Sequence, residues 1–340
     1  MVDPIKPCVS VVIAVYNAEE YIAQCCHSLF AQTLENLEYI FIDDCSPDHS
    51  MEIVHSVLKE YPHRDKQVKI IQHSSNQGVS KTREEGVKAA SGEYLIHCDP
   101  DDWTELNMYE RLYNKAVSED ADIVLCDYWN HYYNDPGQYY IAETPKELTC
   151  RSLLASCLHA QHPLMSCSLC NKMIRTSYYN NVEWPNQISY SEDVIVCVQI
   201  LNAPSLKISY DGQAYYHYRL KKNSLSHRSL TKQDVENDYA VIQILHSHLC
   251  KMEDLELYHI WQASVSDFML STLEAPKRYF SNKKFINDYG RYRNHIWKNV
   301  SISRMKKILL YCATYNFYLS FAIYKKSKRL KLFFRKIKSN

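Results

Sequence analysis

Residues 94–103 read Tyr-Leu-Ile-His-Cys-Asp-Pro-Asp-Asp-Trp, an apolar run that leads directly into three carboxylates. The run from Tyr94 to Cys98 predicts a buried strand. Asp99, Asp101 and Asp102 then follow at its carboxyl end. Clustered carboxylate oxygens suit a hard cation, Mg²⁺ or Mn²⁺, and such ions usually share their coordination with substrate phosphates. The stretch therefore indicates a metal site for a phosphate-bearing ligand.

The preceding residues favour this interpretation over a simple solvated turn, for which Asp and Pro are also common residues. Strand-like and helix-like segments alternate there, as in a parallel sheet with helices on its faces. The predicted strands are 9–15, 37–42, 68–72, 94–98 and 123–126, and the predicted helices are 19–31, 50–61, 80–90 and 105–118. We therefore predict an α/β fold with a mostly parallel, Rossmann-like sheet whose first half closes near Tyr128.

Polar residues follow the predicted strands, and ligands of open α/β sheets bind beyond the carboxyl ends of the strands. The polar residues are Tyr16, Asn17, Asp43, Asp44, Asn76 and Asp99 to Asp102. The turn after the first strand contains no glycine, and the chain has only six glycines in 340 residues. Neither the dinucleotide fingerprint Gly-x-Gly-x-x-Gly nor a phosphate-binding Gly-x-x-x-x-Gly-Lys-Ser/Thr loop is present, so NAD-dependent and P-loop functions lose their main support.

From about Val9 to Ser226 the chain resembles the inverting glycosyltransferases of family 2, which have the GT-A fold. The matching segments are VSVVIAVYN at 9–17, FIDDCSPD at 41–48, NQGVS at 76–80, GEY at 92–94 with DPDD at 99–102, and SED at 191–193. One such segment is weak support, whereas five in the right order are strong. The resemblance implies a catalytic domain over 1–228, with a nucleotide-sugar-binding half, 1–128, and an acceptor-binding half, 129–228.

The same resemblance implies which residues bind the donor, a nucleotide-diphosphate sugar for which we expect UDP. The first-strand loop and the second-strand end would hold the nucleoside through Val15, Tyr16, Asn17, Asp43 and Asp44. Without the resemblance, Asp43 and Asp44 fit helix capping equally well.

Asp99 and Asp101 correspond to the family's Asp-x-Asp, which holds the Mn²⁺ or Mg²⁺ that bridges the two donor phosphates, and Asp102 supports them. Arg83 corresponds to an arginine near the donor. The family often has Arg-Asn at that position, whereas this chain has Arg83-Glu84, so only the arginine is carried over. Considered alone, Arg83 is equally typical of a solvated helix face.

Glu192 and Asp193 begin an apolar run, 194–201, that predicts a helix with both acids in its first turn. Acids there also suit the helix dipole without any further role. The resemblance implies that Asp193 is the general base for the acceptor hydroxyl and that Glu192 positions the acceptor, a glycan or lipid-linked saccharide. The aromatic segment 127–150 falls where we expect the acceptor-binding region to begin.

Three further residues are carried over from the family. Lys172 lies in a stretch similar to the one that precedes the family's Glu-Asp pair and would line the site, although a surface lysine is the ordinary alternative. His217 and Arg219 lie in a predicted strand, 215–219, that resembles the end of related catalytic domains. They would reach the metal or the diphosphate. A histidine in an aromatic strand is, however, more often a packed, hydrogen-bonded residue.

Two other functions remain as alternatives. A sugar nucleotidyltransferase also uses an acidic metal site on a similar sheet, but it normally has a Gly-rich, basic loop after the first strand, which is absent here. A catalytically idle binding or assembly subunit at the membrane is the other alternative, and the intact Asp-x-Asp and Glu-Asp motifs argue against it. We therefore expect a metal-dependent, inverting hexosyl- or N-acetylhexosaminyltransferase, of the kind used in bacterial surface polysaccharide synthesis.

The C-terminal region, 229–340, is predicted to be a helical extension. Eleven of the 39 Lys and Arg residues and none of the 39 Asp and Glu residues lie in 301–340. Phe and Leu alternate with these charges in the tail, about 304–340, so we expect an anionic membrane surface, not nucleic acid, as its partner. Thirteen scattered cysteines and the lack of a secretory leader indicate a cytoplasmic enzyme that is peripheral to the inner face of the cell membrane.

Overall fold

The computed structural model describes residues 6–133, 135–142, 147–158, 167–185, 188–203, 205–221, 231–275, 279, 281–300 and 302–326. The chain forms two compact units. One contains residues 1–157 and 162–227, and the other contains residues 158–161 and 228–340.

In the part of the chain that the structure describes, nine strands form a mixed sheet at the centre of the first unit. Its strands are β1 (Val9–Val15), β2 (Leu37–Asp43), β3 (Val68–Gln72), β4 (Tyr94–His97), β5 (Trp103–Thr104), β6 (Ile123–Tyr132), β7 (Gln138–Ile141), β8 (Lys172–Arg175) and β9 (Ile208–Leu220). The order across the sheet is β3-β2-β1-β4-β8-β6-β9-β5, and β7 pairs with β6. The first four strands are parallel to one another, whereas β8 is antiparallel to both of its neighbours.

Among the described residues, helices occur both between the strands of the sheet and after its last strand. They are α1 (Ile22–Phe30), α2 (Ser50–Leu58), α3 (Val79–Ala89), α4 (Met108–Glu119), α5 (Cys150–Leu158), α6 (Glu192–Leu201), α7 (Lys232–Lys251), α8 (Leu255–Glu274), α9 (Asn282–Tyr289) and α10 (Arg304–Ala313). Short 3₁₀ helices span Pro62–Gln67, Thr176–Tyr179 and Gly290–Lys298, and a last helical segment spans 317–326. The prediction of a GT-A α/β fold with a helical C-terminal region is confirmed.

The sequence explains why β1 and β2 are interior strands of this sheet. Every residue of β2 and nearly every residue of β1 is buried, as expected for strands covered by helices on both faces. Helix α3 packs closely against both strands at Gly86, where an added Cβ would lie only 2.4 Å from Val12 Cγ1. A larger residue at this position would push α3 away from the sheet.

Several elements differ from their predicted extent; the predicted helix 19–31, for example, is observed as Ile22–Phe30. The predicted strand 123–126 continues as β6 to Tyr132, because β9 pairs with it along its whole length through a register shift between Cys126 and Tyr128. Within the predicted helical extension, the α-helix Asn282–Tyr289 is followed directly by the 3₁₀ helix Gly290–Lys298. Within the described residues, no helix is both long and apolar enough to cross a membrane.

Candidate active site

A cavity of about 800 Å³ lies at the carboxyl ends of β1, β2 and β4. Eight predicted site residues line it: Val15, Tyr16, Asp44, Arg83, Asp99, Asp101, Glu192 and Asp193. The first three follow β1 and β2, Arg83 comes from α3, the two Asp-x-Asp residues follow β4, and the Glu-Asp pair begins α6. The structure therefore brings the donor-side and acceptor-side motifs to one cleft.

Asp44 holds the loop that leads into α3. Its carboxylate accepts hydrogen bonds from the backbone N–H groups of Gln77 and Gly78, at 2.6 and 2.9 Å. Gly78 has a φ of 85°, a backbone conformation that glycine adopts without strain. Asp44 thus stabilises the loop that precedes α3, the helix that carries Arg83. It does not cap α2, the helix that follows Asp44 in sequence.

His73 fixes the orientation of Asp44. Its Nδ1 lies 2.7 Å from Asp44 Oδ1, and its Nε2 lies 2.9 Å from Glu85 Oε2. Burial lowers the pKa of His73, but the hydrogen bonds to the two carboxylates outweigh burial and raise the pKa overall. No motif marks His73 in the sequence, because its role depends on two carboxylates that other elements supply.

Arg83 connects the two carboxylate groups of the cleft. One guanidinium nitrogen donates to Asp99 Oδ1 at 2.6 Å, and another donates to Glu192 Oε1 at 2.5 Å. Arg83 and Glu192 are buried, with exposed fractions of 6% and 4%. Burial alone would lower the pKa of Arg83, yet Asp99 and Glu192 raise it well above its usual value. Arg83 is therefore not on a solvated helix face, but is a buried counter-ion shared by both halves of the site.

Asp102 supports the acidic loop from behind. It is 1% exposed, and its carboxylate accepts hydrogen bonds from the Tyr216 hydroxyl at 2.6 Å and from the Arg219 N–H at 2.8 Å. Arg219 Nε also donates to the Asp101 carbonyl at 2.8 Å. Burial raises the pKa of Asp102 well above its usual value, and the neighbouring aspartates raise it further.

Asp99 and Asp101 fit a divalent cation by their chemistry and position. Both line the cleft, with side chains that are 31% and 27% exposed, and both offer the hard oxygen ligands that Mg²⁺ and Mn²⁺ prefer. Among the described residues, no group of three or more His, Cys, Asp or Glu side chains forms a complete metal site. Two protein ligands suffice where phosphates and water supply the others.

Asp193 faces the cleft from the first turn of α6. Ser191 precedes this turn in the left-handed region, with φ of 68°, and thereby directs the chain into the helix. Burial raises the pKa of Asp193 to about 7, and the adjacent Glu192 raises it as well, whereas Arg83 lowers it. A carboxylate with a pKa near 7 has the proton affinity that a general base needs.

The other six predicted contacts, Asn17, Asp43, Asp102, Lys172, His217 and Arg219, are not among the residues that line this cavity. The Asn17 N–H donates to Ser46 Oγ at 2.9 Å, with Asn17 φ at 51°, so Asn17 shapes the turn after β1. Asp43 accepts hydrogen bonds from the Ser46 N–H at 2.8 Å and from Gln72 Nε2 at 3.1 Å. Both residues therefore order the loop behind Tyr16 and Asp44.

Lys172 is not a surface lysine. It is 3% exposed, and its ammonium donates to the Ser168 carbonyl and to Asn171 Oδ1, both at 2.8 Å. Lys172 is therefore neither a surface lysine nor one of the residues that line the cleft, the two alternatives that the sequence offered.

His217 is a packed, hydrogen-bonded residue. Its ring stacks on Trp103 with centroids 4.9 Å apart, and its nitrogens lie 3.0 Å from Glu105 Oε1 and 2.9 Å from His131 Nε2. It lines a separate cavity of about 580 Å³ together with Trp103 and Glu105. His217 is therefore placed at this second cavity and not among the residues that line the cleft.

The structure adds cleft residues that the sequence interpretation did not select. Ile188, Ser189, Tyr190 and Ser191 form one wall, and Gln77, Gly78 and Thr82 form another. Their only sequence signal is that they adjoin the SED and NQGVS segments. The exposed aromatic residues of the β6–β7 hairpin, which include Tyr133 and Tyr139, are not among the lining residues.

Comparison with known proteins identifies the family of this chain. The family model "Glycosyl transferase family 2" matches residues 10–181. The chain is 31% identical over 263 residues to the "Putative glycosyltransferase EpsH" of Bacillus subtilis, which covers 74% of this chain and 72% of that protein.

Two solved structures share the fold. S. aureus TarS 1–349 in complex with UDP-GlcNAc has a TM-score of 0.56 at 20% identity, and the match covers 92% of this chain and 91% of the 1–349 chain of TarS. The mannosyltransferase PcManGT of Pyrobaculum calidifontis, in complex with GDP-Man and Mn²⁺, has a TM-score of 0.51 at 12% identity, with 94% and 84% covered. With the fold, the order of the motifs and the family match in agreement, the chain belongs to glycosyltransferase family 2.

Proposed function

We propose that this glycosyltransferase transfers a sugar from a UDP-sugar to a saccharide acceptor with inversion at the anomeric carbon. The observation that carries the proposal is the Asp99–Arg83–Glu192 chain of ion pairs, which joins a metal-binding type of carboxylate to the Glu-Asp pair within one cleft. Displacement at an anomeric carbon needs both functions, because a charged leaving group must be stabilised while the nucleophile loses its proton.

On the donor side, Asp99 and Asp101 would hold the divalent cation and Asp102 would keep their loop in place. When bound, Mn²⁺ or Mg²⁺ supplies positive charge that neutralises the leaving diphosphate. The nucleoside would lie against Val15, Tyr16 and Asp44, which line the same cleft. Arg83 holds one oxygen of Asp99 and so orients that carboxylate.

On the acceptor side, Asp193 would remove the proton from the attacking hydroxyl. The hydroxyl oxygen forms a bond to the anomeric carbon as the bond from that carbon to the diphosphate oxygen breaks, and the proton passes to Asp193. A single displacement of this kind inverts the anomeric configuration. Glu192 is occupied by Arg83, so we propose that it positions the arginine and the first turn of α6.

The choice of substrates rests on the relatives. TarS is bound to UDP-GlcNAc, and PcManGT is bound to GDP-Man and Mn²⁺. We extend from them a nucleotide-diphosphate donor, most simply a UDP-hexose or UDP-N-acetylhexosamine, and a divalent ion. For the acceptor we propose a glycan or a lipid-linked saccharide, as the resemblance of the sequence motifs to family 2 implies.

A thermal-shift experiment tests the donor site. UDP with Mn²⁺ should raise the melting temperature of the protein, and neither ligand alone should raise it as much. The Asp101→Ala variant should lose this stabilisation, because it lacks one of the two proposed metal ligands. Asp65→Ala, in the 3₁₀ helix Pro62–Gln67 outside the cleft, is the control and should respond like the wild type.

Hydrolysis of UDP-sugars distinguishes an enzyme from an idle binding subunit. Slow, Mn²⁺-dependent release of UDP without acceptor is expected of the wild type. Nucleotide binding with no release of UDP under any acceptor condition would favour the binding subunit, and failure to respond to any nucleotide would contradict the proposed site.

We also propose that the second unit binds the anionic, cytoplasmic face of a membrane. Large apolar side chains are exposed on α10, on segment 317–326 and in the turn between them, namely Met305, Ile308, Tyr315, Tyr318, Leu319 and Ile323. Basic residues flank them, and the whole stretch 301–340 contains no Asp or Glu. Exposed apolar area beside cationic residues matches the chemistry of an anionic lipid surface. Tail residues 327–340 lie outside the described part of the chain.

Vesicle sedimentation tests the membrane proposal. The protein should pellet with anionic phospholipid vesicles at low salt, and binding should fall as salt rises. Replacing Ile308 and Leu319 together with Gln should weaken binding, because both side chains are exposed and apolar. Val117→Gln, an exposed apolar position on α4, is the matched control. Equal binding to neutral vesicles would contradict the electrostatic contribution, and binding to DNA or RNA in place of vesicles would contradict the partner.

A further inference from the structure

Lys221 already places a positive charge on the proposed metal ligand. Its ammonium lies 2.6 Å from Asp101 Oδ2, and it also lies over the ring of Tyr21, 4.5 Å from the centroid. Lys221 directly follows the end of β9 and is 29% exposed at its side chain. An ammonium at this distance occupies one of the two carboxylate oxygens that Asp101 could offer to a cation.

The charges around the acidic loop explain why a counter-ion is present there. Asp99, Asp101 and Asp102 lie within four residues, and like charges in a cluster repel one another. Arg83 pairs with Asp99, and Asp102 accepts hydrogen bonds from Tyr216 and Arg219. For Asp101, the cationic partner within salt-bridge distance among the described residues is Lys221.

Lys221 can leave Asp101 without unfolding the strand end. Arg219 anchors β9 to the acidic loop through its N–H, which donates to Asp102, and through its Nε, which donates to the Asp101 carbonyl. These bonds do not involve Lys221. A lysine side chain is a flexible four-carbon stem, so its ammonium can change partners while the backbone stays in place.

We propose that Lys221 is a built-in competitor of the divalent cation. Its ammonium holds Asp101 before the donor binds, is displaced when the cation binds, and then takes an anionic partner on the diphosphate. This inference rests on the proposed function, because it assumes that Asp101 is a metal ligand. It implies that the cation binds weakly alone and much more tightly together with a nucleoside diphosphate, since the diphosphate gives the displaced ammonium a new partner.

Equilibrium binding of Mn²⁺, measured by electron paramagnetic resonance with and without UDP, tests the inference without any activity assay. Lys221→Met should bind Mn²⁺ without UDP about tenfold more tightly than the wild type does, which corresponds to about 1.4 kcal/mol. The increase in Mn²⁺ affinity caused by UDP should shrink by a similar factor in this variant. Lys221→Arg, which keeps the charge, should bind Mn²⁺ much as the wild type does.

Lys81→Met is the matched control. It removes the same charge from α3, where Lys81 is paired with Glu84, a residue that does not line the cleft. Mn²⁺ affinity should be unchanged in this variant. An increase would show that removal of any nearby positive charge has the same effect as removal of the Lys221 ammonium. If Asp101→Asn abolishes Mn²⁺ binding while Lys221→Met leaves it unaltered, the competition is disproved and the proposed function stands. If neither the wild type nor any of the variants binds Mn²⁺, even with UDP, both the metal site and the role of Lys221 are disproved.

Discussion

Replacing Asp193 with Asn should lower the rate of sugar transfer by about 10²- to 10⁴-fold while leaving UDP binding unchanged. The amide is nearly the same size as the carboxylate but cannot accept the acceptor's proton. Single-turnover transfer measures the rate, and thermal shift with UDP and Mn²⁺ measures donor binding. A product that retains the donor's anomeric configuration would contradict the assignment of Asp193 as the base of a single displacement.

The pH dependence gives a second readout of the same group. Because burial raises the pKa of Asp193 to about 7, the base is protonated below that pH, and kcat/KM should fall about tenfold per pH unit there. The residual activity of Asp193→Asn should lack this limb.

Stability distinguishes catalysis from a structural role. A carboxyl group whose pKa is raised in the folded state binds more protons when folded, so its contribution to stability falls as the pH rises from about 4 to about 7. Asp193→Asn should therefore be at least as stable as the wild type at pH 8. A marked loss of stability would indicate that the residue mainly holds the helix start together.

Replacing Arg83 with Met should destabilise the protein by about 3–5 kcal/mol and abolish Mn²⁺-dependent UDP binding. The variant leaves Asp99 and the buried Glu192 without their shared cation, and an uncompensated buried charge is costly. Urea unfolding monitored by tryptophan fluorescence measures the first effect, and the UDP thermal shift measures the second.

Two further variants separate charge from packing at Arg83. Arg83→Lys keeps the positive charge but cannot donate to two carboxylates from a planar fork, so its stability should fall between the wild type and Arg83→Met. Adding Glu192→Gln to Arg83→Met should recover part of the lost stability, because the buried carboxylate becomes neutral. An unchanged unfolding midpoint in Arg83→Met would show that the two ion pairs contribute little to the fold.

The structure shows which inferences from the sequence were local and which were not. The strand 9–15 was predicted with its observed bounds, because a buried strand is indicated by a nearly continuous apolar run. The strand 68–72 also has its predicted bounds, although it is a partly exposed edge strand. The end of β6 was not predictable, since its last six residues are held by pairing with β9 through a register shift. The residues that follow Cys126 therefore do not indicate by their composition that the strand continues to Tyr132.

The site divides in the same way. The positions of Asp44, Asp99 and Asp101 at one sheet edge followed from the order of the strands, and Asp193 was assigned to the site by the family resemblance. The surroundings of His217 and Lys172 followed from neither. A histidine followed by a tyrosine has the same sequence signal whether it faces a ligand or stacks on Trp103. The outcome depends on which distant elements pack against it.

By itself, the sequence determined the alternation of strands and helices, because apolar residues recur with the short periods of strand and helix. It also determined the family and the presence of acidic residues where strands end, because these depend on short segments of contiguous residues. Only the tertiary structure decided the charge pairing. Arg83 pairs with Glu192, which lies 109 residues later in the sequence. Lys221, which follows β9, pairs with Asp101, which follows β4. The physical reason is that the partner and the burial of a charged side chain depend on chain segments that become neighbours only when the sheet has formed.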